Sequence, residues 1–142
     1  MDFKMTNANV HFLQRQSIEN YPNECCGFIF GTRAEAAFCI RDLFPAVNER
    51  TDAPTRRYRI APMAYLEAER VAVAAGVEII GFYHSHPDHP AIPSSYDLEH
   101  AWPQSAYLIT EIRNGSAAGQ RAWILAEDRS CFREMRIIYG GK

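Results

Sequence analysis

The chain has almost no surplus of charge: 15 basic against 17 acidic residues leave a net charge of -2 over 142 residues. Lys and Arg are scattered rather than gathered into a basic run, so nothing here points to a nucleic-acid partner. Runs of 18–20 apolar residues, the requirement for a membrane helix, are missing. The start, "MDFKMTNANV", lacks the charged, apolar and small-residue regions of a secretory signal. A soluble, cytoplasmic protein with no membrane partner is expected. Four cysteines (Cys25, Cys26, Cys39, Cys131) form no C-x-x-C pair, which excludes a dense disulfide scaffold and leaves reduced, mostly buried thiols. Repeats, linkers and low-complexity runs are absent too, so residues 1–142 are expected to form one domain. The H-x-E…P-C-x-x-C pattern of zinc deaminases does not occur. An H-x-H barrel hydrolase would need about 250 residues.

What is there is ordinary globular patterning. Val10, Leu13, Ser17, Ile18 and Tyr21 share one face of a helix over residues 8–20, which Pro22 ends. "CCGFIFG", "AAFCIRDLFPAVN" and "RRYRI" read as strands. Pro62 opens a second helix with an apolar stripe through Ala64, Ala68, Val71 and Ala75, closed by Gly76. "VEIIGFYHSH" is a central strand, followed by a proline-rich loop and a short helix from Ser94 or Ser95. "AYLITEIR" and "RAWILAED" pair as a hairpin across "NGSAAGQ", and "CFREMRIIY" is the last strand. The fold class is α/β (α+β), a mixed or antiparallel sheet flanked by helices.

The unusual chemistry sits where the central strand ends. Alternate strand residues face one side, so His84 and His86 point together while Ser85 points away. Two such imidazoles suit a small cation, and a catalytic zinc takes three protein ligands while keeping one position for water. The third ligand is open among Asp88, His89, Asp97 and His100. "SSYD" reads first as a capping box, whose first helical turn would also hold Asp97 rigidly near the strand end.

The pattern H-S-H, seven residues, then S-x-x-D (His84, Ser85, His86, Ser94, Asp97) resembles the signature of the JAMM (MPN-plus) zinc metallopeptidases, in particular their short bacterial branch. That family also carries a glutamate ahead of a Cys-Gly pair, matched by Glu24 in "NECCG". The likeness runs from the first helix to the last strand. It implies the JAMM/MPN, cytidine-deaminase-like fold, with one zinc per chain held by His84, His86 and Asp97. It also implies Glu24 as general base and Ser94 as donor to the oxyanion. Ser85 would be positional and Cys26 buried packing.

The implied substrate is the amide bond after the Gly-Gly tail of a ubiquitin-like protein. "NERTDAPT" and "NGSAAGQ" leave little room for the ubiquitin-gripping insertions of eukaryotic members, which favours a ubiquitin-like sulfur-carrier protein instead. Its tail would add as a strand at an exposed sheet edge. Two other readings remain: a non-catalytic MPN scaffold, and a metallo-β-lactamase-like hydrolase using Asp88 and His89 of "HSHPDH". The identity of the carrier and any homodimer are left open.

Overall fold

The computed structural model describes residues 1–50, 52, 55 and 57–141. The chain runs β1 (Asp2–Met5), α1 (Asn7–Asn20), β2 (Cys26–Ala34), β3 (Ala37–Ala46), α2 (Pro62–Ala74), β4 (Glu78–Pro87), α3 (Ser95–His100), β5 (Ala106–Arg113), β6 (Ser116–Leu125) and β7 (Phe132–Tyr139). The strands follow the order β1-β3-β2-β4-β5-β6-β7 and close into a barrel through β7 and β1. β4 and β5 run parallel, as does β1 with both of its neighbours, while the other pairs are antiparallel. This is the expected mixed sheet flanked by helices.

Two apolar clusters fill the molecule. Phe3, Leu13, Ile29, Ile80, Tyr83 and Leu108 pack under α1, and Phe28, Phe30, Ala68, Ala72, Phe82 and Tyr107 pack under α2. β4 therefore has both faces covered, which is why it reads as a continuous apolar run. Ile29 lies opposite Gly81 and Phe30 opposite Ile79, so Ile80 is an extra residue in β4. Such a bulge resets the pleat by one position. It turns Phe82 to the α2 side, and with it His84 and His86 two and four residues on.

The sequence reading needs four corrections. β1 went unrecognised, since four residues offer too few alternations to declare a strand. "RRYRI" forms no strand over its described part, 57–60, and Arg56 lies outside the described residues. There the Asn48 side chain supplies what a ladder would, donating to the Arg57 carbonyl (3.1 Å) and accepting from the Arg59 N–H (3.1 Å). The β5–β6 turn is only Asn114-Gly115, and most of "NGSAAGQ" is strand. The closed barrel leaves no whole strand as a free edge; Ile40–Ala46 of β3 is paired with β2 but not with β1. Of the cysteines, Cys25 and Cys26 are buried, Cys39 is half-buried and Cys131 is exposed. No helix among the described residues is long and apolar enough to cross a membrane.

Candidate metal centre

His84 and His86 are both 1% exposed, and His84 Nδ1 has no partner among the described residues, although a buried imidazole normally satisfies both nitrogens. Their Nε2 atoms face each other at 3.2 Å. Asp97 Oδ2 stands 3.4 Å from the first and 3.3 Å from the second. Lone pairs crowded this way repel unless a proton or a cation sits among them. A tetrahedral zinc with bonds of about 2.0–2.1 Å needs its ligand atoms about 3.3–3.4 Å apart. The three observed separations match that edge length, so the donor set fits zinc both in chemistry and in size.

Each donor is held by the fold. β4 presents the two histidines. His86 Nδ1–H donates to the Pro90 carbonyl (2.6 Å), which fixes the tautomer with the Nε2 lone pair turned inward. Pro90 is steadied through Ala91, whose N–H reaches Glu111 Oε1 (3.0 Å) and whose carbonyl accepts from Trp123 Nε1 (3.0 Å). The ring of Tyr58 stacks on His84 at 4.6 Å. Asp97 sits in the first turn of α3, where Ser94, not Ser95, is the cap: Ser94 Oγ accepts from the Asp97 N–H (3.0 Å), and Asp97 Oδ2 accepts from the Ser94 N–H (2.8 Å). Burial alone would raise the Asp97 carboxyl. The imidazoles of His84 and His86 and the Ser94 N–H outweigh it and hold the group well below the usual carboxylate range.

Glu24 lies 2% exposed at the mouth of β2, and its Oε1 has no partner among the described residues. Burial, with Asp97 adding to it against the pull of His86, pushes its carboxyl up to about 8. The segment is tied to β4 by Ser85, which lies between the histidines on the opposite face. Ser85 Oγ accepts from the Cys25 N–H (2.9 Å), and the Ser85 N–H donates to the Cys25 carbonyl (3.1 Å). Gly27 leaves room for the Tyr83 ring, which a Cβ there would meet at 2.4 Å. Burial drives the Cys26 thiol up to about 12, so it stays protonated and unfit as a nucleophile.

The remaining polar residues divide clearly. Asp88 is spent on structure: it accepts from the Tyr21 hydroxyl and from the Asn114 N–H (2.7 Å), tying the loop after β4 to α1 and to the β5–β6 turn. His100 stacks on Tyr96 and donates to its carbonyl (2.9 Å). His89 stacks on His86 at 4.0 Å, and with Glu24 and His86 it forms a second convergence of ligand atoms within 4.8 Å. Sequence reasoning missed Ser85's clamp on Cys25 and the Glu111–Ala91–Trp123 support, because both join residues far apart in the chain.

Residues 8–126 match the family model for prokaryotic homologs of the JAB domain. A desampylase from Haloferax volcanii is 34% identical over 89 residues, 62% of each chain. A desampylase from Pyrococcus furiosus is 30% identical over 117 residues, 81% of this chain and 75% of its own. A probable TtuB-protein conjugate cleaving protease from Thermus thermophilus is 33% identical over 75 residues, 53% of this chain and 47% of its own. The match thus spans less than two thirds of the Haloferax and Thermus relatives. Among solved structures, a Salinibacter ruber protein superposes with a TM-score of 0.75 at 36% identity, covering 99% of this chain and 92% of that one. A Desulfitobacterium hafniense protein superposes at 0.84 and 24% identity, covering 100% and 94%. A family match over that span, with the histidine pair, the aspartate and the glutamate gathered at one point, establishes that the chain belongs to the prokaryotic JAB-domain (JAMM/MPN) family.

Proposed function

We propose that the protein is a single-domain zinc peptidase hydrolysing the amide bond after the Gly-Gly end of a ubiquitin-like sulfur-carrier protein. The observation that carries this reading is the 3.2–3.4 Å triangle of His84, His86 and Asp97 beside a buried, unpartnered Glu24. The names of the relatives, desampylase and TtuB-conjugate protease, support a ubiquitin-like substrate. His84, His86 and Asp97 would hold one zinc per chain. When bound, it supplies an acidified water at neutral pH and polarises the scissile carbonyl.

This chain's own residues do the rest. Glu24, outside the ligand set, takes a proton from the attacking water and hands it to the departing amine. One water is consumed, the C–N bond breaks, and a carboxylate and an amine leave. Among the described residues Ser94 Oγ is used only as acceptor for the Asp97 N–H, which leaves its hydroxyl proton to donate to the carbonyl oxygen as charge develops there. A cleft of about 430 Å³ lined by Tyr58, Tyr65, Tyr96 and Trp102 runs up to Asp97. Its aromatic walls suit a tail of glycines, which has no side chains to clash.

Ser94→Ala is expected to lower kcat by about 10²–10³-fold, the usual cost of one oxyanion donor. The same change removes a helix cap worth about 1 kcal/mol. Zinc content, read by native mass spectrometry, should stay at one per chain. The test of the reading as a whole is mass spectrometry of Gly-Gly carriers bearing C-terminal extensions, incubated with zinc-loaded protein and with a chelator. Chelator-sensitive cleavage after the second glycine is expected, and cleavage that ignores the chelator would move the chemistry elsewhere. The scaffold alternative predicts protein that purifies without stoichiometric zinc. The metallo-β-lactamase alternative is set aside: the family match is to the JAB domain, and Asp88 is engaged by Tyr21 and Asn114.

A further inference from the structure

We propose that His89 acts on the departing nitrogen: its free ring nitrogen accepts the N–H of the scissile amide and so turns that atom's lone pair towards Glu24. The inference rests on the peptidase reading above and adds a residue to its machinery.

His89 is held from three directions. Its ring lies on that of His86, with centres 4.0 Å apart and planes 22° from parallel. Its Nδ1 stands 2.9 Å from the Pro87 carbonyl oxygen. Asp88, just before it, takes the left-handed conformation (φ 60°), and residue 89 comes back over residue 86. That turn is well anchored. The Asp88 N–H donates to the Ile112 carbonyl (2.6 Å), and its carboxylate accepts from the Tyr21 hydroxyl and from the Asn114 N–H (2.7 Å).

The bond to Pro87 fixes what His89 can offer. A carbonyl oxygen only accepts, so Nδ1 carries the hydrogen, and the neutral ring is left with a bare lone pair on Nε2. Among the described residues nothing pairs with that atom. The ring is half-buried, and one of its nitrogens, one of His86 and a Glu24 carboxylate oxygen lie within 4.8 Å of one another. His89 also shares a cleft of about 460 Å³ with Ser94. It therefore stands beside the base and borders the same space as the oxyanion donor. Other acceptors of that cleft are already engaged. Asp88 serves Tyr21 and Asn114, Ser94 Oγ serves the Asp97 N–H, and the Pro87 carbonyl serves His89 itself.

An acceptor placed there has a definite task. The lone pair of an amide nitrogen is delocalised into the carbonyl, so the atom is a poor base and a poor leaving atom. Once water has added, the carbon is tetrahedral, the lone pair is localised and the nitrogen becomes pyramidal. Two of its corners belong to the substrate chain, so the direction of the N–H decides the direction of the lone pair. Holding the N–H aims the lone pair at the proton on Glu24, a gain in orientation rather than in charge. No proton passes to His89. Glu24 delivers the proton it took from water, the C–N bond breaks, and the nitrogen leaves as a neutral amine with its original hydrogen.

An ester isolates this role, because oxygen in place of N–H removes the hydrogen that His89 holds. The probes are ubiquitin-fold sulfur carriers ending in Gly-Gly, joined after the second glycine to glycine (amide) or to glycolate (ester). Wild-type protein, His89→Phe and His89→Gln are compared at matched zinc occupancy. His89→Phe keeps a flat ring against His86, and its kcat for the amide should fall about tenfold, the effect of one hydrogen bond. Its ester hydrolysis should stay within about twofold of wild type. His89→Gln, whose side-chain oxygen can accept, should recover part of the amide rate. Unchanged amide turnover in His89→Phe, or an equal loss on amide and ester, overturns the inference and leaves the peptidase standing. If zinc-loaded wild-type protein cleaves no amide in the panel, the peptidase reading falls, and the inference with it.

Discussion

Glu24→Gln should leave one zinc bound per chain and reduce turnover by about 10²–10⁴-fold, the range that a positioned acid–base group supplies. Gln keeps the volume of the side chain and cannot carry the proton. A chelator titration and a single-turnover assay on the same sample separate the two effects. If Glu24→Gln retains full activity, Glu24 is not the base. The wild-type profile of kcat/KM against pH should show an acid limb belonging to Glu24. Burial pushes its carboxyl up to about 8; a divalent cation nearby favours the carboxylate, so in the zinc form the limb falls below that value.

The same substitution has a second, independent readout in metal-free protein. The folded Glu24 holds its proton up to about 8, whereas the unfolded chain gives it up near 4.5. The stability this group contributes is therefore complete below 4.5 and is lost as pH rises towards 8. Gln titrates nowhere in that window. Thermal melts should show metal-free Glu24→Gln gaining on metal-free wild type as pH rises across it. Parallel melting curves would mean that the Glu24 carboxylate is solvated.

Removing a ligand should give the other large effect. His86→Ala or Asp97→Asn is expected to lose zinc and all measurable peptidase activity. Replacing an outer partner typically costs about 10–100-fold in metal affinity, and a first ligand costs more. Wild-type protein should gain about 2.7 kcal/mol of stability at free zinc a hundredfold above its Kd. The variants should gain none at that concentration. Calorimetry with and without zinc measures this directly, and a zinc-dependent gain in His86→Ala equal to that of wild type would remove His86 from the ligand set.

How far the sequence reaches can be judged from these same residues. His84 and His86 were legible because a strand's two-residue period puts both rings on one face. S-x-x-D placed Asp97 in a first helical turn near the strand end but left it one of four candidate ligands, and the family resemblance chose it. Glu24, between an asparagine and a cysteine, has no local signature; the family resemblance singled it out. What stayed hidden was long-range. Ser85 holds Cys25 across 60 positions, and Trp123 reaches back 32 positions to Ala91. No local pattern encodes which loop a side chain will meet. The bulge at Ile80 was equally silent, although by shifting the pleat one residue it decides which way the histidines face. "RRYRI" misled because its alternating aromatic and β-branched residues are strand-like, while Asn48 satisfies its backbone without a ladder.

Location of the ion is the most direct measurement of all, because two triads share His86 and only one of them includes Asp97. Anomalous diffraction at the zinc edge from zinc-loaded crystals should show a single peak bonded to His84 Nε2, His86 Nε2 and Asp97, with the Glu24 carboxylate outside bonding distance. A peak ligated by Glu24, His86 and His89, or a pair of zinc ions spanning both triads, would contradict the account.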